Sequence, residues 1–182
     1  MDQRSENELL GGGDTRLHFH LADRGPFPIV HGSFYDTTTQ SIASTTAEYA
    51  VTFSSTSLSK GVAVQSNSRI VVSAEGVYNF QFSAQLQNTN IADNDVDIWF
   101  KKNGVVIANS NTIVTVPSSH GGTPGHCVPS WNFFLDMNRN DYFEIFWHAD
   151  SLLVSMPSYA AAITPTRPAT PSVILTANLV SI

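Results

Sequence analysis

Residues 77–86 read Val-Tyr-Asn-Phe-Gln-Phe-Ser-Ala-Gln-Leu, which places Tyr78, Phe80, Phe82, Ala84 and Leu86 on one side and Asn79, Gln81, Ser83 and Gln85 on the other. Successive strand side chains point to opposite faces, so this unbroken period of two specifies a half-buried β-strand and excludes a helix. From Gly32 onward the chain keeps to that pattern. Val, Ile, Phe, Tyr, Trp and Thr dominate, and turn-forming residues interrupt them at short intervals. The predicted strands are 33–39, 49–54, 61–65, 69–72, 77–86, 95–102, 105–116, 128–136, 142–149, 152–156 and 172–180. Asn103-Gly104 is a hairpin turn whose two positions tolerate positive φ, and Asn138-Arg139-Asn140-Asp141 joins a later pair. Residues 37–50, rich in Thr and Ser, show no apolar stripe at helical spacing. About ten antiparallel strands in one domain close into a sandwich or a barrel, so the expected fold class is all-β.

A chain of 182 residues buries roughly 70% of the surface its unfolded form exposes, and needs neither disulfide nor metal to hold a core. Charged residues make up only 13%, against about 25% in an average globular protein. The net charge is −6 and the densest basic pair is Lys101-Lys102, so no phosphate-neutralising patch is expected and no direct nucleic-acid partner. Apolar runs fall far short of the ~20 residues that cross a bilayer, so no membrane partner is expected either. The start, Met1-Asp2-Gln3-Arg4-Ser5-Glu6, is polar and has no apolar stretch behind it. The single cysteine, Cys127, cannot form an internal disulfide, and no Asn-x-Ser/Thr acceptor occurs. These features predict synthesis in a cytoplasm without classical secretion.

Residues 1–31 differ from the rest. They carry Gly11-Gly12-Gly13, Pro26, Pro28 and the histidines His18, His20 and His31, with no core-building periodicity. They are read as an extended N-terminal arm, comprising a mobile head (1–13) and then a docking stretch through Leu17-His18-Phe19-His20-Leu21. The domain proper is 32–182. His18 and His20 share a face of an extended strand, a spacing found in zinc and nickel sites. The plainer reading is a docking surface beside Phe19. His120, His126 and Cys127 lie in a Gly/Pro-rich loop, 117–129, without an evident fourth ligand, and read as part of an exposed insertion. Asp93, Asp95 and Asp97 alternate as calcium ligands can, but Asp97 falls in a predicted strand and the Gly turn is missing, so a solvated strand edge is expected. Neither a Gly-x-Ser-x-Gly elbow nor a phosphate-cradling Gly loop is present. No catalysis, metal or cofactor is predicted. Trp99 offers a sugar an aromatic surface, but nothing in the sequence marks a platform.

Several strands carry apolar residues on both sides. Phe143, Ile145 and Trp147 oppose Tyr142, Glu144 and Phe146; Trp131, Phe133 and Leu135 oppose Asn132 and Phe134; Val173, Leu175 and Leu179 oppose Ile174 and Val180. A sandwich strand in a monomer keeps one side polar, so loops or another subunit must cover the second side, and subunit contact is the preferred reading. The predicted subunit-interface residues are Phe34, Tyr35, Phe134, Tyr142, Phe146, Ile174 and Val180.

Four segments in order carry a resemblance: Gly76-Val77-Tyr78-Asn79-Phe80; Trp99-Phe100-Lys101-Lys102-Asn103-Gly104; Leu135-Asp136-Met137-Asn138-Arg139-Asn140-Asp141-Tyr142-Phe143-Glu144-Ile145; and Ser172-Val173-Ile174-Leu175. Together they resemble the globular head of complement component 1q and its tumour-necrosis-factor-like relatives over roughly residues 34–180. That resemblance implies an antiparallel jelly roll of about ten strands assembled as a tight trimer. One departure is Asn140, where the family has Gly before the Asp; Asn can take the same left-handed conformation. The chain also resembles small virion proteins of tailed bacteriophages, through Gly11-Gly12-Gly13-Asp14-Thr15-Arg16-Leu17-His18-Phe19-His20, His31-Gly32-Ser33-Phe34-Tyr35-Asp36-Thr37-Thr38-Thr39-Gln40 and Trp131-Asn132-Phe133-Phe134-Leu135-Asp136-Met137-Asn138.

The resemblance implies a structural component on the outside of a phage particle. The expected function is that of a capsid decoration, or cement, protein, made in the host cytoplasm and placed on the outer surface of the virion. It would be a homotrimer that binds the major capsid protein through Arg16, Leu17, His18, Phe19, His20, Leu21 and Phe27. The alternative is a tail-fibre or receptor-binding head that recognises the host surface. A cytokine-like ligand is a third reading, disfavoured by the predicted lack of secretion.

Overall fold

The computed structural model describes residues 29–182. In chain order its strands are β1 (His31–Asp36), β2 (Gln40–Ser41), β3 (Tyr49–Ala50), β4 (Ser55–Lys60), β5 (Val62–Gln65), β6 (Arg69–Val72), β7 (Gly76–Ala84), β8 (Leu86–Asn88) and β9 (Asn94–Lys102). They continue as β10 (Val105–Val106), β11 (Thr112–Val116), β12 (Gly125–Cys127), β13 (Ser130–Met137), β14 (Tyr142–Ala149), β15 (Val154–Met156), β16 (Ala162–Ile163), β17 (Thr166–Arg167) and β18 (Val173–Ser181). No helix occurs among the described residues, and the fold is all-β.

Two large antiparallel sheets enclose one core as a β-sandwich. The first has the order β13-β7-β18-β1-β4; the second runs β10-β9-β14-β6-β5, with β11 added on β9 and β3 on β14. Two smaller sheets, β12-β8-β15-β2 and the hairpin β16-β17, complete the structure. The last described strand, β18, pairs with β7 on one side and with β1, the first, on the other, which closes the middle of the first sheet. Buried Val30, whose carbonyl accepts from the Leu179 amide, belongs to this closure. The head therefore begins before Gly32, and His31 starts β1 instead of ending the arm.

Alternation explains the core directly. Tyr78, Phe80, Phe82 and Ala84 of β7 are buried, as are Val96, Ile98 and Phe100 of β9, Phe143, Ile145 and Trp147 of β14, and Val173, Leu175, Ala177 and Leu179 of β18. Phe100 is the hub between the sheets. Its ring lies 4.9 Å from Phe133, 5.1 Å from Phe143, 6.0 Å from Phe82 and 6.2 Å from Trp131, centroid to centroid. Phe80 stacks on Phe143 at 4.2 Å, again across the sandwich. Such aromatic pairs contribute about 0.5–1.5 kcal/mol each beyond their area burial.

The structure corrects several expectations. Phe34, assigned to a subunit interface, is fully buried in the core of this subunit, because β1 turns Gly32, Phe34 and Asp36 inward. A Cβ on Gly32 would meet the Phe34 ring at 2.5 Å, so glycine makes room for that ring. The predicted strand 105–116 breaks into β10 and β11 at a turn through Asn109, whose φ is +61°. Ser55–Lys60, unpredicted, forms β4 on the edge of the first sheet, paired with β1 across a register shift. The loop 117–129 is not an open insertion throughout, since β12 pairs with β8 there. The Asn103-Gly104 turn has the expected left-handed pair, φ +51° and +78°, and Asn140 takes φ +70° in place of a glycine.

Truncating the hub should be far more damaging than truncating an edge. Phe100→Ala is expected to lower unfolding free energy by about 3–5 kcal/mol in urea titration. Leu58→Ala, on an exposed β4 position, should change it by less than about 0.5 kcal/mol. Equal losses would contradict a core centred on Phe100.

Candidate interaction surfaces

The outward face of the first sheet is built from short uncharged side chains in rows fixed by register. Ile174, Ser83 and Ser130 form one row, Thr176, Gln81 and Asn132 the next, and Asn178, Asn79 and Phe134 a third. Asn132 Nδ2 donates to Asn79 Oδ1 at 3.3 Å, tying β13 to β7 on this side. Phe134 is 56% exposed, Ile174 41% and Val180 42%, and Tyr35 stands half-buried on the outward side of β1. No ionisable group occupies the three rows. Their Ser and Asn side chains have few rotamers to lose, and their neutrality keeps desolvation inexpensive.

The outward face of the second sheet has the opposite character. The Arg69 guanidinium lies 4.6 Å from the centre of the Tyr142 ring, with Nε 3.7 Å from Glu144 Oε1. Buried Glu144 also accepts from Ser68 Oγ at 2.7 Å. The Lys101 ammonium sits 3.8 Å above the Phe146 ring and pairs with Glu48, while Trp99 stacks beside Phe146 at 6.1 Å. Tyr142 and Phe146 are thus covered by this subunit's own cations. The seven predicted interface residues do not form one patch. Tyr35, Phe134, Ile174 and Val180 share the first face, Tyr142 and Phe146 lie across the sandwich, and Phe34 lies inside.

The alternating aspartates do not converge. Asp93 Oδ1 accepts from the Ser118 amide at 2.7 Å, Asp95 Oδ1 from Thr115 Oγ1 at 2.7 Å, and Asp97 Oδ1 from Asn111 Nδ2 at 2.8 Å. Each is bound to its own partner on or beside β11, which lies next to β9 in the sheet. Cys127 packs half-buried against the core, and exposed His126 faces the Tyr159 ring edge-on at 6.4 Å. Among the described residues, no three His, Cys, Asp or Glu side chains are grouped to hold a metal. Arg16, Leu17, His18, Phe19, His20, Leu21 and Phe27 lie outside the described residues.

One feature escaped the sequence reading. A cavity of about 420 Å³ opens on the second face, lined by Asp97, Trp99, Val106, Ile107, Asn109, Asn111 and His148. Its wall is the turn at 107–111, hidden in the sequence because apolar residues continue from Val105 through Ala108 and mimic a longer strand.

Two of the segments that carry the family resemblance meet at the edge of this face. Asp141 accepts from Asn103 Nδ2 at 2.7 Å, from the Asn138 amide at 2.7 Å and from Lys102 Nζ at 2.9 Å. The Tyr142 amide donates to Asn103 Oδ1 at 2.9 Å. Burial pushes the Asp141 carboxyl up, but these hydrogen bonds and the Lys102 charge outweigh it and hold the group at about 2, below its ordinary 3.8. A depressed carboxylate contributes stability above its unfolded value and loses it as pH falls through the folded one. The denaturation midpoint of the wild type should therefore fall between about pH 4 and pH 2. Asp141→Asn should be less stable at neutral pH and show a shallower fall over that window. An unchanged acid profile in the variant would contradict this role.

No protein-family model matches the chain, and no curated protein is similar to it at a significant level.

Proposed function

We propose that the chain is a capsid decoration protein of a tailed bacteriophage, acting as a homotrimer on the outer surface of the virion and clamping the major capsid protein with its N-terminal arms. The observation that carries the assembly is the outward face of the first sheet, with its uncharged rows and exposed Phe134, Ile174 and Val180. A face of that kind is covered at low desolvation cost by a second copy of itself or of a neighbouring edge. The strand order supports a jelly roll: β4-β1-β18-β7-β13 faces β5-β6-β14-β9-β10, and the chain passes repeatedly from one sheet to the other. The turn cluster of Lys102, Asn103 and Asp141 joins two of the segments on which the proposed likeness to complement-1q-like heads rests.

The mechanism is surface burial without chemistry. One arm carrying Arg16, Leu17, His18, Phe19, His20, Leu21 and Phe27 would be a weak ligand for a shell subunit. Three such arms on one trimer act at a local concentration of about millimolar and raise avidity by about 10²–10⁴-fold. A shell bound at many such points resists rupture under internal pressure.

Light scattering on the purified chain should give three times the 19.8 kDa protomer mass. Ile174→Lys should dissociate the assembly, whereas Ile163→Lys, on the exposed β16-β17 hairpin, should leave it intact. A wild-type monomer would overturn the trimer. Removing residues 1–28 should leave a folded trimer whose binding to undecorated shells is weaker by about hundredfold or more. A truncated protein that still decorates shells would overturn the arm mechanism.

A further inference from the structure

We infer that the cavity beside Trp99 is a binding site for a neutral saccharide, a hexopyranose unit of a larger glycan or a free sugar. Its volume of about 420 Å³ falls within the ~300–1,000 Å³ of small-molecule sites. Its chemistry matches the two-sidedness of a pyranose ring. Trp99, Val106 and Ile107 supply an apolar wall for the C–H face, and Asp97, Asn109 and Asn111 bring acceptors and donors together for adjacent hydroxyls, each of which both donates and accepts.

The site is organised before any ligand arrives. Ser110, buried beneath the turn, accepts from the Phe100 amide at 3.1 Å and donates to the Ile107 carbonyl at 2.8 Å, while the Ile107 amide bonds to the Phe100 carbonyl at 2.9 Å. These bonds pin the turn that carries Asn109 and Asn111 onto β9. Trp99 is braced by Phe146, with the rings 28° apart. Asp97 is oriented by Asn111 at 2.8 Å and by His148, whose Nδ1 lies 3.5 Å from Asp97 Oδ2 and whose Nε2 lies 2.8 Å from the Thr45 carbonyl. A preformed site loses little to ordering on binding.

The same groups argue against other occupants. An anion would meet the Asp97 carboxylate. A wholly apolar ligand would strip water from Asp97 and Asn109 without replacing its hydrogen bonds. A quaternary ammonium could use Trp99 and Asp97 but would make no hydrogen bond to Asn109. Because the cavity lies on the second face, it stays open when the first face is covered, and the inference does not rest on the decoration role.

The test is saturation-transfer NMR on the full chain with glucose, galactose, mannose and N-acetylglucosamine, with choline and acetate as comparison probes. At least one of the sugars is expected to bind, and Trp99→Ala and Asn109→Gly should each weaken it by about tenfold or more. Asn109→Gly keeps the left-handed backbone that this turn requires, so it decides the question even if Trp99→Ala unfolds. Binding of none of the sugars, binding of choline or acetate in their place, or sugar binding unaffected by Asn109→Gly would overturn the assignment.

Discussion

The contacts that Phe100 makes with Phe82, Trp131 and Phe133, and that Phe143 makes with Phe80, hold the two sheets of the sandwich face to face. They also determine what each strand presents to the outside. Once Phe100 points inward on β9, Trp99 and Lys101 must point outward; once Phe143 does so on β14, Tyr142, Glu144 and Phe146 must lie on the outward side. On β7 and β18 the same constraint leaves Asn79, Gln81, Ser83, Ile174, Thr176 and Val180 outside. The core thus sets the composition of both exposed surfaces.

Those surfaces divide the protein's chemistry between them. On the second sheet, Arg69, Lys101, Glu48 and Glu144 answer one another and cover the aromatic rings beneath. Each pair joins a buried partner, Glu144 or Lys101, to a more exposed one, Arg69 or Glu48, and the charges keep this face apart from its copies. In the three middle rows of the first sheet, apolar groups stand among neutral amides and hydroxyls, and charge enters that face only beyond them, at Asp136 and at the β1–β4 edge. We propose that this asymmetry directs assembly to one side and leaves the cavity at Trp99 on the other. A particle surface built this way would be mechanically tied through its arms and chemically adhesive on its outward face.

Much of the fold was legible because burial imposes a period of two on the sequence. The strands at 69–72 and 142–149 match the predicted spans, and the alternation in β7 named its buried side chains. Where that imprint is weak the reading failed. β4, Ser-Thr-Ser-Leu-Ser-Lys, lies on an edge and buries almost nothing, so it leaves no pattern to detect. Phe34 and Tyr35 are adjacent aromatics, and alternation alone does not say which of two large apolar neighbours turns inward; Gly32, two positions before Phe34, was the available signal. The cations over the outward aromatics Tyr142 and Phe146 come from β6 and β9, distant in sequence, so their cover has no local sign. The cavity depends on a turn at Asn109 that interrupts an apolar run, and on β14 bringing His148 beside Asp97. Such long-range meetings carry no local signature.

Abundance on the particle tests most directly whether the chain coats a shell, as proposed. Quantitative protein staining of purified phage particles, with the major capsid protein as the internal standard, gives the number of copies per virion. The account predicts a copy number comparable to that of the shell subunit, in the hundreds of chains. A few tens of copies or fewer would place the protein at the tail or a unique vertex and contradict a lattice-wide role.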